Sequence, residues 1–247
     1  MRPLAALGLQ PKRGWSVTLG LVVALGIGAL LTLLFPYAIG MNLMYVPAEA
    51  LAQPWSILLY PFAVPMWGGL LGPVWTVFLL LWTWRTGSFL EEKLELRRYV
   101  ALLLAATIVP AGLLSIPGAQ SILVGPFMPV AVLTVVWATR NATMPMCFWG
   151  FSVAAKWVGA LSALGIFAEH YRIGIAAGFV SLVPLGIAWA WAAERIPFLP
   201  FYVKARPSKQ EAQREIDFMK EVAKRKDDRA DRERLRKLLE GGDDPLR

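Results

Sequence analysis

Cysteine, histidine and charged side chains are all scarce in this sequence. The 247 residues include one cysteine, Cys147, and one histidine, His170. A single cysteine cannot form an internal disulfide, and these two residues are too few for a structural zinc site, so we expect no metal and no cofactor. Charged residues make up 17% of the chain, whereas soluble domains carry about 25%.

Hydrophobic residues are abundant instead. They make up 57% of the sequence, and the mean hydropathy is +0.52. A soluble fold of this size cannot bury so much apolar surface, so lipid must be part of the solvent. We therefore predict an all-α, polytopic membrane protein.

The charges that are present concentrate near the C-terminal end. Residues 204–247 hold 14 of the 25 Lys and Arg residues and 11 of the 17 Asp and Glu residues. We predict a transmembrane domain over residues 1–200 and a charged, partly helical cytosolic tail over residues 201–247. The net charge of +8 fits basic loops beside anionic lipid headgroups better than a nucleic-acid interface, so we expect no nucleic-acid partner.

Six apolar segments approach the length of a membrane span, which needs about 20 mostly apolar residues. The segment 36–66, between the first two, contains five prolines and many Met, Tyr, Trp and Phe residues. That composition is typical of a structure that lies in the membrane interface. The predicted spans are residues 15–35, 67–84, 99–116, 123–138, 150–167 and 173–193.

The distribution of Lys and Arg predicts the orientation, because basic loops stay in the cytosol. Three basic residues precede the first span and four lie in the predicted loop 85–98, whereas the segment 36–66 has none. Both termini are therefore predicted to be cytosolic, with the segment 36–66 outside. An even number of spans agrees with this orientation, and the Ala-, Gly-, Trp- and Arg-rich composition favours a bacterial plasma membrane.

The tail contains apolar residues at helical spacing. We predict one helix after Ser208, which with Glu211 fits a capping box, and a second over residues 231–240. These helices either dock on a partner or the membrane surface, or belong to a solvated, partly ordered tail. The candidate docking residues are Ile216, Met219, Val222, Leu235, Leu238 and Leu239.

Several short motifs resemble the rhomboid superfamily. Residues 54–62 (PWSILLYPF) resemble the stretch that leads from the family's large outside loop into its second helix. Residues 87–91 (GSFLE) and 96–99 (LRRY) resemble the cytosolic turn after that helix, and residues 136–141 (VWATRN) and 146–150 (MCFWG) are similar to the Derlin branch. The resemblance covers about residues 40–195 and implies a six-helix rhomboid-like bundle.

The catalytic residues of rhomboid proteases are missing from the matching positions. The family's serine lies in a Gly-x-Ser-Gly motif of the fourth helix, where residues 125–128 (GPFM) place Phe127 instead. The family's histidine in the sixth helix has no counterpart in residues 177–179 (AGF). Because a serine needs a neighbouring base to become a nucleophile, the resemblance implies a pseudoprotease without enzymatic activity.

Ser121 and His170 form the one alternative pair, since both are predicted near the outer face. We expect Ser121 in a wet turn and His170 in a polar loop beside Glu169. The family's oxyanion surroundings are missing there. We therefore do not expect these residues to form a catalytic dyad.

The resemblance implies an adaptor that binds transmembrane segments of client proteins in the lipid bilayer. It would pass them to, or regulate, a membrane quality-control machine such as a membrane-anchored AAA protease or ATPase. A structural subunit of a larger complex, or a small transporter or channel, remains open, although the spans contain few charges and no internal repeat. The candidate client-binding residues are Trp55, Tyr60, Trp67, Trp75, Phe127 and Phe179.

Four further positions carry specific expectations. Glu91 either pairs with a neighbouring basic residue or is a solvated loop charge. Gly174 and Gly178 have the spacing that lets a neighbouring helix approach closely. Lys156 is predicted inside the fifth span near its cytosolic end, where a lysine can extend to the headgroups.

Overall fold

A computed structural model describes residues 16–64, 71–116, 120–148 and 151–196. Within these ranges the chain is all-helical apart from one short β-hairpin, as predicted. The α-helices are α1 (Val17–Leu34), α2 (Pro36–Leu43), α3 (Ser56–Leu59), α4 (Leu71–Lys93), α5 (Leu96–Leu113), α6 (Phe127–Arg140), α7 (Ala155–Tyr171) and α8 (Ile175–Ala192). The hairpin strands are β1 (Pro145–Phe148) and β2 (Phe151–Ala154).

Helices α1, α5 and α8 are long and apolar enough to cross a membrane. Each has 18 residues, which at 1.5 Å per residue gives about 27 Å, close to the hydrocarbon thickness of a bilayer. These three helices indicate an integral membrane protein. The other predicted spans correspond to α4, α6 and α7, and their assignment as spans stays a prediction.

The segment 36–66 contains short helices and large exposed apolar side chains. Besides α2 and α3, it forms 3₁₀ helices at Pro47–Glu49 and Tyr60–Phe62. Tyr37 and Leu51 are 87% and 100% exposed, and the location of this segment in the membrane interface stays a prediction. Paired backbone hydrogen bonds of 2.9 Å between Tyr45 and Leu123 attach this segment to the chain before α6.

The predicted loop 85–98 is wrong, because α4 continues to Lys93 and α5 begins at Leu96. Gly87 is part of α4 and does not end it. A Cβ atom at Gly87 would lie 2.8 Å from both Thr18 Cγ2 and Tyr99 Oη. The glycine therefore permits close contact between α4, α1 and α5, and this tertiary contact outweighs its low helix propensity.

The connection between α6 and α7 is an antiparallel hairpin, where we predicted a turn and the start of the fifth span. Pro145 pairs with Ala154, and α7 begins only at Ala155. Aromatic and β-branched residues such as those at positions 151 and 153 favour strands. Lys156 is consequently an exposed residue at the start of α7, with its Nζ 5.6 Å from the Trp157 ring.

Helix α6 is the centre of the bundle. Every residue from Met128 to Ala138 is buried, and α6 packs against α4, α5, α7 and α8. Pro126 precedes the helix and Pro129 lies in its first turn, where proline is tolerated. The two prolines at the start of α6 therefore do not interrupt its hydrogen bonds, whereas Pro110 and Pro184 lie inside α5 and α8.

Candidate functional site

An apolar groove of about 620 Å³ lies between α4, α6 and α7. Its α4 wall includes Trp75 and Phe78, which remain 59% and 42% exposed. On α7 the lining residue Leu161 is 63% exposed. The groove is therefore open at the side of the bundle.

The α4 wall is a row of aromatic rings at helical spacing. The rings of Trp75 and Phe78 stack with centroids 5.5 Å apart, and those of Phe78 and Trp82 stack at 6.3 Å. Trp82 also meets the buried Trp137 edge to face at 5.7 Å. Residues at i, i+3 and i+7 lie on one helix face, so the sequence order itself produces this aromatic surface.

One hydrogen bond fixes the inner end of the aromatic row. Trp82 Nε1 donates to Thr134 Oγ1 over 2.8 Å, and Thr134 Oγ1 donates to the carbonyl oxygen of Val130 over 2.7 Å. The polar atoms of Trp82 and Thr134 are thus paired within the protein, and an apolar ligand that covers them would leave neither unpaired. Phe127, the residue at the family's serine position, is half-buried at the start of α6 and lines the groove.

Glu169 is the one acidic residue among those that line the groove. It is exposed and lies in the last turn of α7. Within the described part of the chain its carboxylate makes no ion pair or hydrogen bond, and desolvation raises the pKa of this carboxyl above its ordinary value. The sequence singled out this residue only as a neighbour of His170.

The structure corrects the expected surroundings of Ser121 and His170. Ser121 is 2% exposed, not in a wet turn, and His170 is 3% exposed within the last turn of α7, not in a loop. His170 Nδ1 lies 2.9 Å from the carbonyl oxygen of Ile166. Ser121 Oγ and His170 Nε2 are both buried without a hydrogen-bond partner, so they do not bond to each other.

Glu91 has a role that sequence reasoning missed. Its carboxylate accepts hydrogen bonds from the backbone N–H groups of Val17 and Thr18, at 2.8 and 3.0 Å. Ser16 Oγ accepts a third, from Leu19. The hydroxyls of Thr18 and Tyr99 are 2.8 Å apart. An acidic group at a helix N-terminus is favourable because it satisfies free N–H groups and complements the helix dipole.

The other candidate client-binding residues do not share the groove. Trp55 is 48% exposed, and its Nε1 donates to the carbonyl oxygen of Asn42. Tyr60 is fully buried, so it packs in the core and not in the expected interfacial belt. Burial also raises the pKa of its hydroxyl, which keeps it neutral. Phe179 is 60% exposed on α8, and Trp67 lies outside the described residues.

Only one of the two candidate packing glycines makes a close contact. A Cβ atom at Gly178 would lie 3.2 Å from Tyr171 Cα, so α7 and α8 approach closely there. Gly174 precedes α8 and has open space around it, so its expected packing role is wrong. The tail positions Ile216, Met219, Val222, Leu235, Leu238 and Leu239 lie outside the described residues.

No protein-family model matches the chain, and no curated protein matches it. The resemblance to the rhomboid superfamily therefore depends on the sequence motifs. The groove itself is defined by geometry: an aromatic wall, an apolar floor and one carboxylate at the rim. Such a surface can hold an elongated apolar ligand.

Proposed function

We propose that this protein is a non-enzymatic, rhomboid-like pseudoprotease that binds transmembrane segments of client proteins. It crosses a bacterial plasma membrane six times, with both termini in the cytosol, and works within a membrane quality-control machine. The observation that carries the proposal is the groove between α4 and α7. Its walls are mostly apolar, the Trp82 and Thr134 side chains in its floor are paired with each other, and it is open at the side of the bundle, where a helix could enter from lipid.

The length of α7 supports this proposal. Its two ends carry charged residues, Lys156 and Glu169, and the 12 residues between them rise about 18 Å as a helix. A bilayer core is about 30 Å thick. Even if Lys156 extends to the headgroups, the membrane beside α7 must thin locally. A thinner bilayer next to the groove weakens the lipid contacts that a client segment gives up when it binds.

The positions of the charges argue against a small transporter or channel. Intramembrane charges of transporters converge near the middle of the bilayer. Among the described residues of the longer helices, the charged side chains lie at or near helix ends, as Glu91, Arg140 and Glu194 do, except for Arg85, which lies about two turns before the end of α4. Arg140 and Glu194 form an ion pair of 2.6 Å between the ends of α6 and α8. The groove floor carries no comparable group.

In-membrane photocrosslinking in living cells tests the proposal. A photoreactive amino acid replaces Trp75 or Leu161, which line the groove, or Leu81 or Leu164, which are 59% and 60% exposed outside it. We expect many single-span proteins to crosslink from the first pair and few from the second. One partner at fixed stoichiometry would instead identify a structural subunit. No protein crosslink from Trp75 or Leu161 would overturn client binding.

We also propose that the tail docks on an ATP-driven partner, such as a membrane-anchored AAA protease, through Ile216, Met219, Val222, Leu235, Leu238 and Leu239. The apolar positions in an otherwise charged segment support this proposal, since their spacing in the sequence is the spacing of an apolar helical face. Affinity purification with and without residues 207–247 tests it. Equal recovery of an ATPase from both forms would contradict docking by the tail.

A further inference from the structure

The groove is chemically uneven, because its single acidic residue lies near one end. Glu169 is in the last turn of α7, whereas the residues toward the start of that helix, such as Val158 and Leu161, are apolar. The carboxylate is exposed, and within the described residues no ion pair or hydrogen bond satisfies it. Arg172 follows three residues later but lies beyond ion-pair distance of the carboxylate.

The position of Glu169 in its helix is also unfavourable. The C-terminus of a helix carries partial negative charge from its free carbonyl groups, so an acidic side chain in the last turn is repelled and a cation is attracted. The negative charge of the carboxylate and the partial negative charge at the end of α7 therefore both attract a cation. Together they favour a positive group at this end of the groove.

We infer that Glu169 determines client specificity by binding a Lys or Arg residue near the outer end of a client transmembrane segment. This inference rests on the proposed client-binding function. The body of the segment lies along the apolar wall formed by Trp75 and Phe78, and its cation reaches Glu169. A basic residue inside a membrane is costly until it is paired, so a segment that has lost its own partner gains most from this carboxylate.

The geometry fixes where the basic residue must lie. Glu169 follows Lys156 by 13 residues on α7, so it lies about 20 Å along the helix from that lysine, which marks the proposed cytosolic side. A client helix packed beside α7 has the same rise per residue. Moving its cation by four residues toward the cytosol shifts it by about 6 Å, which places it against apolar side chains instead of the carboxylate.

The test uses the full-length protein in phosphatidylcholine nanodiscs and a fluorescent Leu/Ala single-span peptide. Three peptides are compared: all-apolar, one Lys at the outer position, and the same Lys moved four residues inward. For the unmodified protein we expect the outer-Lys peptide to bind about tenfold more tightly than the apolar one, and the inward-Lys peptide to show no gain. Glu169→Gln should abolish the difference. Glu49→Gln, an exposed acidic residue of the outside segment, should preserve it.

The outcomes separate this inference from the proposed function. Equal binding of the apolar and outer-Lys peptides, or a preference that survives Glu169→Gln, would overturn the role of Glu169 while leaving client binding intact. Failure of all three peptides to bind would overturn the proposed function itself. Binding of the apolar peptide by Glu169→Gln shows that this variant is folded. If phosphatidylethanolamine in the nanodiscs removes the Lys preference, the carboxylate holds a lipid amine and the inference is wrong. A Glu169→Lys variant that prefers an outer-Glu peptide would support it further.

Discussion

Replacing Glu91 with alanine should destabilise the fold by about 3 kcal/mol. The carboxylate accepts two hydrogen bonds, from Val17 N and Thr18 N. A hydrogen bond to a charged group contributes about 1.5–3 kcal/mol, and a negative charge at a helix N-terminus about 0.3–1 kcal/mol more. Glu91 is half-buried, so the lower end of these ranges applies. Without the carboxylate, the first turn of α1 also loses its attachment to α4.

A conservative variant separates charge from hydrogen bonding. Glu91→Gln keeps one carbonyl oxygen but loses the charge and the second acceptor, so we expect it to destabilise the fold by about half as much. Glu92 is the matched control, because it is the next residue of α4 and is exposed. Glu92→Ala should change stability by less than about 0.5 kcal/mol.

The assay is unfolding of the full-length protein by sodium dodecyl sulfate in dodecylmaltoside micelles, followed by far-ultraviolet circular dichroism. The expected order of stability is unmodified protein, then Glu91→Gln, then Glu91→Ala, with Glu92→Ala close to the unmodified protein. Equal unfolding midpoints for Glu91→Ala and Glu92→Ala would refute the capping role of Glu91.

Two further changes follow from single contacts and use the same unfolding assay. Gly28→Ala should destabilise by about 2 kcal/mol or more, since its Cβ would overlap the carbonyl oxygen of Phe62 and a backbone atom cannot move aside cheaply. Gly20→Ala, in the same helix with open space around it, should be neutral or slightly stabilising, and equal losses for the two variants would contradict the contact. Trp82→Phe should lower the free energy of unfolding by about 1 kcal/mol, because it removes the hydrogen bond to Thr134. Adding Thr134→Val to this variant should lower the free energy of unfolding no further.

The apolar runs of the sequence located six of the helices, because apolar runs of this length are too long for strands. Their boundaries were less predictable. Glycine has a low helix propensity and is common in loops, but Gly87 lies inside α4 because its missing side chain permits close contact with α1 and α5. The β-hairpin joining α6 and α7 has only four residues per strand, too few for a periodic pattern to distinguish it from a turn or a helix start.

The candidate site was only partly predictable. Trp75 and Phe127, two of the candidate client-binding residues, both line the groove, and their role in binding stays a prediction. Tyr60 and Phe179 are also aromatic, but Tyr60 is buried in the core and Phe179 is exposed on α8. His170 looked solvated because polar residues surround it in sequence. His170 is buried because it lies on the face of α7 that packs against neighbouring helices. The short polar stretch around it does not indicate which face that is.

A groove-filling substitution tests the central claim, that client segments bind between α4 and α7, most directly. Gly165 lines the groove, and a Cβ atom there would meet no other atom closely. Gly186 on α8 has equally open surroundings but is not among the residues that line the groove. Binding of the apolar single-span peptide to the full-length protein in nanodiscs is measured for Gly165→Trp and Gly186→Trp. We predict at least about a tenfold loss of affinity for Gly165→Trp and none for Gly186→Trp. Equal affinities for both variants and the unmodified protein would contradict binding in this groove.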